Sequence, residues 1–204
     1  MKSCFLLATA ALISATLSAN AATVTLFDDN FDADSAGVPA SPGYTTVTDL
    51  THWFVTQGNV DALNAVYGCI GCIDLDGSDS PAPAVLVTKT ALNFYQNFLY
   101  TVSLFFSGGS AEETVTIGVN GGAVPFLAGN GASVYTISAS PPSDLTGVLT
   151  ISLSGPADNS GPYLDRVLIT YEDTLAPVPL PAAAPLLLAG LGALGLFARR
   201  RRMA

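Results

Sequence analysis

Thr114-Val115-Thr116-Ile117-Gly118-Val119 and Leu149-Thr150-Ile151-Ser152-Leu153 alternate apolar and polar residues. Successive side chains of a strand point to opposite faces, so each run offers one face to a core and one to water. Strands of this kind are buried by packing two sheets face to face. Working outward, short β-branched and aromatic runs recur between clusters of Gly, Pro, Asn, Asp and Ser, and no stretch of the interior shows a sustained helical period. The pattern predicts strands at 23–27, 52–56, 60–63, 73–76, 85–89, 99–107, 113–119, 123–127, 133–138, 148–154 and 164–171. Leu99 to Phe106 alternates only in part, as a central strand does. Asp76-Gly77, Gly108-Gly109, Asn120-Gly121-Gly122 and Gly129-Asn130-Gly131 supply turns, and the pattern-poor stretch 32–51 reads as a long loop. The expected fold is all-β, a two-sheet β-sandwich with jelly-roll wiring, over residues 22–173.

Both ends of the chain read differently. Lys2, an apolar stretch from Cys4 to Leu17 and then Ala19-Asn20-Ala21 have the form of a secretory signal peptide over 1–21, with cleavage expected after Ala21. At the other end, residues 174–181 form a proline-rich linker that holds Val178, Pro179, Leu180 and Pro181. An apolar helix is expected over 182–204, ending in Arg199, Arg200, Arg201 and Arg202. The apolar run itself, 182–198, is short for a bilayer span, and the positive-inside rule holds its arginines in the cytoplasm. It reads as a transient or single-span anchor, with the preceding residues outside.

The order of Val178-Pro179-Leu180-Pro181-Ala182, apolar run and arginine cluster resembles the PEP-CTERM sorting signals of Gram-negative bacteria, in their V-P-L-P-A variant. That resemblance implies recognition by an exosortase-type membrane protease and export across the inner membrane. It sends the domain to the periplasm, the cell surface or an extracellular matrix rich in exopolysaccharide.

Once both signals are set aside, only Lys89 and Arg166 remain against all 16 acidic residues, a formal net charge of −14. Such a surface repels phosphate backbones, which excludes nucleic acid as a partner, and it is compatible with calcium. Two cysteines remain, Cys69 and Cys72, and outside the cytoplasm they are expected to form a disulfide in a tight structural loop. A redox role for this C-x-x-C pair would need a following helix, and Ile73 to Asp76 reads as a strand instead.

Asp28-Asp29-Asn30-Phe31-Asp32-Ala33-Asp34 sets oxygen-bearing side chains at alternate positions, but Ala33 and Pro39 stand where an EF-hand needs glycine and glutamate. Asn30-Phe31-Asp32, Trp53 with Gly58-Asn59-Val60-Asp61, Asp74-Leu75-Asp76-Gly77-Ser78 and Leu164-Asp165-Arg166-Val167 together resemble galactose-binding-like jelly rolls, among them several carbohydrate-binding module families. The resemblance implies a structural calcium joining first strand to last, on Asp32 and Asp165 with Asp28 assisting. Residue chemistry alone leaves alternatives open: Arg166 compensates these carboxylates in place of a metal, and Asp74-Leu75-Asp76-Gly77-Ser78-Asp79 is a second calcium site or, since Asp-Gly turns without a metal, a plain hairpin turn. His52 is the single histidine, and no nucleophile with a companion base is in sight. The chain is therefore expected to be a non-enzymatic envelope or matrix protein that meets exopolysaccharide. A lectin-like module, a protein-binding adhesin or a self-assembling matrix subunit are the alternatives.

Overall fold

The computed structural model describes residues 23–66, 68–109, 113–128 and 131–173. The expected signal peptide, linker and C-terminal helix lie outside the described residues, as does Tyr67. Among the described residues no helix is long and apolar enough to cross a membrane.

Two antiparallel sheets form the domain. The first is built from β1 (Thr23–Asp29), β2 (Tyr44–Val47), β4 (Val60–Val66), β5 (Cys69–Asp74), β8 (Phe98–Gly109), β11 (Ser133–Ala139) and β14 (Pro162–Asp173), in the order β11-β8-β14-β5-β4-β2, with β1 also on β14. The second runs β10-β9-β13-β6-β3, from β3 (Trp53–Gln57), β6 (Val85–Thr88), β9 (Glu113–Val119), β10 (Gly122–Ala128) and β13 (Leu149–Ser154). β7 (Leu92–Phe94) and β12 (Leu145–Gly147) pair as a small ribbon. The chain crosses repeatedly from one sheet to the other, the jelly-roll sandwich the alternation predicts.

The core lies between the sheets and follows the sequence parity. Val115, Ile117, Leu149, Ile151 and Leu153 point in from one sheet, and Ile73, Leu104, Phe106, Leu164, Val167 and Ile169 from the other. Each such side chain contributes about 1.5–3 kcal/mol by leaving water. Trp53 is fully buried at one end, edge-on to Phe27 and stacked near Phe31.

The structure corrects several expectations. The stretch 32–51 is not a bare loop: it holds the helical turn α1 (Asp32–Ser35) and β2, an edge strand too short to stand out in sequence. Cys69 and Cys72 do not sit in a separate loop. They lie inside β5, where Leu63 pairs with Cys72 and Val66 with Cys69, and a disulfide joins them across a Cα separation of 6.1 Å. Gly71 between them has φ +79°, and a Cβ there would meet the Asp32 carboxylate, so the bulged strand needs glycine at that point. Nor is Asp76-Gly77 a tight hairpin: β5 and β6 lie in different sheets, and residues 75–84 cross between them.

Candidate functional site

Three groups of side chains carry the chemistry. The first is the acidic end of β1. Asp28 makes a two-pronged ion pair with Arg166, whose Nε and Nη2 each donate at 2.7 Å to a different carboxylate oxygen. That hydrogen bonding holds the Asp28 carboxyl below its ordinary range and raises Arg166 above its own. Asp29 is buried; its Oδ1 accepts from Phe31 N at 3.0 Å, and its Oδ2 from Trp53 Nε1 at 2.7 Å, with His52 Nδ1 3.3 Å away. Asp32 accepts from Asn30 Nδ2, and Asp34 Oδ1 accepts from both Thr51 N and Thr51 Oγ1. Asp165 is the bulged residue between Leu164 and Arg166 in the β14–β8 pairing. The arginine thus goes to Asp28 rather than Asp165. Among the described residues no three His, Cys, Asp or Glu side chains gather to hold a metal.

The second group lies on the outer face of the seven-stranded sheet. Asp61, Asp74, Tyr163 and Gly108 follow one another across β4, β5, β14 and β8, and Tyr44 pairs with Leu63 at the sheet's edge. Strand parity puts these side chains opposite Val60, Ile73 and Leu164, which enter the core. They line a groove of about 570 Å³, joined by Ser78, Ser107, Asn159 and Ser160. Tyr163 also packs with Leu63 and Cys72, with Tyr44 against them, so the groove floor is partly apolar. Asp61 is fully engaged: Oδ1 accepts from Thr46 Oγ1 at 2.6 Å, and Oδ2 from Ser78 N and Oγ at 3.0 and 2.6 Å. Asp74 Oδ1 accepts from Asp76 N and Gly161 N, both at 2.9 Å. Burial, and then the charges of Asp61 and Asp76, outweigh those two hydrogen bonds and push the Asp74 carboxyl up to about 7.

The third group sits where the sheets meet beneath residues 155–161. Asp76 is 1 % exposed, and its Oδ2 accepts from the backbone N–H of Asp158, Asn159 and Ser160 at 2.8, 2.9 and 3.4 Å. Those bonds fold the loop that lends Asn159 and Ser160 to the groove. Glu113 enters from the opposite sheet, on the inward parity of Val115 and Ile117, and is 3 % exposed. Burial and then the charges of Asp76, Asp158 and Asp74 push it up to about 7.

The tail adds an independent finding. Residues 177–202 match the PEP-CTERM protein-sorting motif. The chain thus carries the sorting signal of secreted proteins exported across the inner membrane of Gram-negative bacteria. Among curated proteins, none matches the PEP-CTERM-tailed chain. Solved structures similar to it include a CBM35 from Paenibacillus barcinonensis, at 19% identity and TM-score 0.40 over 62% of this chain and 96% of that one. The CBM35 from Cellvibrio japonicus Abf62 gives 15% and 0.40 over 62% and 91%, and a family 35 carbohydrate binding module from Clostridium thermocellum gives 16% and 0.37 over 57% and 90%. The likeness is loose, and the functional reading rests on the chain's own residues.

The sequence motifs point to Asp28, Asp32 and Asp165, and to Asp74 and Asp76 in the 74–79 turn, but not to Glu113. One signal for Glu113 was present: an acid at an inward position of a cleanly alternating strand. Asp61 and Asp74 stand in separate motif segments, and only the β4–β5 pairing makes them neighbours.

Proposed function

We propose that this chain is a secreted, non-enzymatic envelope or matrix component that binds polysaccharide along the outer groove, after an exosortase-type protease has processed its PEP-CTERM tail. The observation that carries the reading is the pairing of Tyr44 and Tyr163 with Asp74, Ser78 and Asn159 along one sheet face, with Asp61 holding Ser78 in place. Sugar rings offer apolar faces to aromatic side chains and hydroxyl edges to carboxylates and amides, and this lining supplies both. With a net charge of −14 over residues 22–176 and carboxylates in the groove, neutral or amino-sugar polymers suit it and polyuronates do not.

A hydrolase is the second reading, because Asp61 and Asp74 face each other across adjacent strands and Asp74 sits at about 7. Binding is preferred because both Asp61 oxygens are occupied by Thr46 and Ser78 and have a structural task. Affinity electrophoresis of the full chain through neutral, amino-sugar and polyuronate gels tests the proposal. Retardation in the first two, reduced at least about fivefold by Tyr44→Ala, is expected from the loss of a stacking ring. Free migration in every gel overturns it, and release of reducing ends establishes the hydrolase.

A further inference from the structure

We propose that Asp76 and Glu113 together hold a divalent cation, calcium by the chemistry of the donors, between the two sheets beneath the 155–161 loop. Asp76 Oδ1, Glu113 Oε1 and Glu113 Oε2 are all buried without a hydrogen-bond partner, on side chains 1 % and 3 % exposed. Buried carboxylate oxygens are ordinarily satisfied, and leaving three so close together is costly unless something else binds them. Both side chains meet the same loop: Asp76 Oδ2 accepts from the N–H groups of Asp158, Asn159 and Ser160, and a Cβ on Gly155 would touch Glu113 Oε1. Asp76 is also the strongest of the charges acting on Glu113.

Charge balance points the same way. Among the described residues the basic side chains are Lys89, Arg166 and His52, and each lies against a different aspartate elsewhere: Asp49 at 2.8 Å, Asp28 at 2.7 Å and Asp29 at 3.3 Å. Among the described residues no basic side chain is left to compensate Asp76 and Glu113. Protonation would remove the charge, yet a neutral carboxyl still needs an acceptor for its O–H, and Glu113 has neither donor nor acceptor partner. A hard cation satisfies all three oxygens at once, and calcium completes its shell with main-chain carbonyls and water. Main chain is at hand: a Cβ on Gly155 would meet the Glu113 carboxylate, so the loop backbone passes close to that side chain. This site is distinct from the one expected on Asp28, Asp32 and Asp165 at the end of β1; it shares Asp76 with the 74–79 turn offered by the sequence as a second calcium site, and takes its other carboxylate from Glu113 on the opposite sheet.

The test is calcium binding by the full chain, stripped with chelator and titrated calorimetrically, with thermal unfolding recorded at each step. The wild type is expected to bind calcium below millimolar concentration and to melt about 5 °C or more higher when saturated. Glu113→Gln, which keeps the side chain's shape, is expected to lose one calcium per chain or to bind it at least about tenfold more weakly. Asp32→Asn is expected to retain that calcium, and unfolding in chelator shows whether each variant is folded. No binding by the wild type at millimolar calcium overturns the proposal. So does wild-type affinity and stoichiometry in both Glu113→Gln and Asp76→Asn. If the groove binds glycan as proposed, calcium also firms its Asn159 and Ser160 wall; that consequence rests on the groove reading, whereas calcium binding is measured without glycan and stands or falls separately.

Discussion

Two acidic regions of this domain look alike in composition and differ in how their charge is met. At the end of β1, Asp28, Asp29, Asp32 and Asp34 each receive hydrogen bonds from a nearby side chain or backbone N–H, Arg166 neutralises Asp28, and Asp34 Oδ2 is the one buried oxygen of the four left bare. Beneath the 155–161 loop, Asp76 spends one oxygen on three backbone N–H groups and leaves the other free, while Glu113 has no partner at all. The difference shows that a run of acids in sequence is a poor guide to unmet charge. What counts is whether donors fold in with the acids.

The largest effect is expected where a satisfied acid is removed. Asp29→Ala leaves Trp53 Nε1 and Phe31 N buried without their acceptor, and should lower unfolding free energy by about 3 kcal/mol in urea titrations. An acid that is a burden should behave in the opposite sense. In chelator, Glu113→Leu extends the apolar parity of Val115 and Ile117 and is expected to be neutral or to stabilise by about 1–2 kcal/mol. With calcium present the wild type should regain or pass it. Equal destabilisation by both variants in chelator would break the contrast, because Glu113 would then be meeting an unseen structural need.

How much of this was legible follows from the kind of signal each residue gives. Strand parity is local, so β9 and β13 could be read directly, and with them the two-sheet sandwich. β2, β7 and β12 span only three or four residues each, too few for alternation to show, and their pairing is decided by the sheets they dock on. The chemistry was harder. Asp28 to Asp34 stood out because the acids are adjacent in sequence, yet adjacency also puts turns and backbone donors within reach. Asp74 and Asp76 stand together in one turn motif, but Asp61 and Glu113 join them only after folding. Glu113 carries its own signal, as a charge on the apolar face of its strand.

The remaining test concerns pH, to which the raised and the depressed carboxyls should answer with opposite sign. In chelator, Asp74 and Glu113 have folded-state values near 7, above their unfolded values of 3.8 and 4.5. Their contribution is therefore most favourable below about pH 4 and is lost as pH rises toward 7, because the unfolded chain ionises first. Asp28 is depressed by Arg166, so its contribution is present above the unfolded value of 3.8 and disappears as pH falls through its lower folded value. The Asp28 pair is about 40 % exposed on each side, and solvent screening limits it to about 0.5 kcal/mol. Chelated wild type should lose stability between pH 5 and 8 in urea titrations, Glu113→Leu should lose less, and Asp28→Asn should follow the wild type in that range and differ in shape only below pH 4. A wild-type stability that stays level from pH 5 to 8 in chelator would mean that the buried carboxylates are compensated within the protein, and the contrast between the two acidic regions would fail.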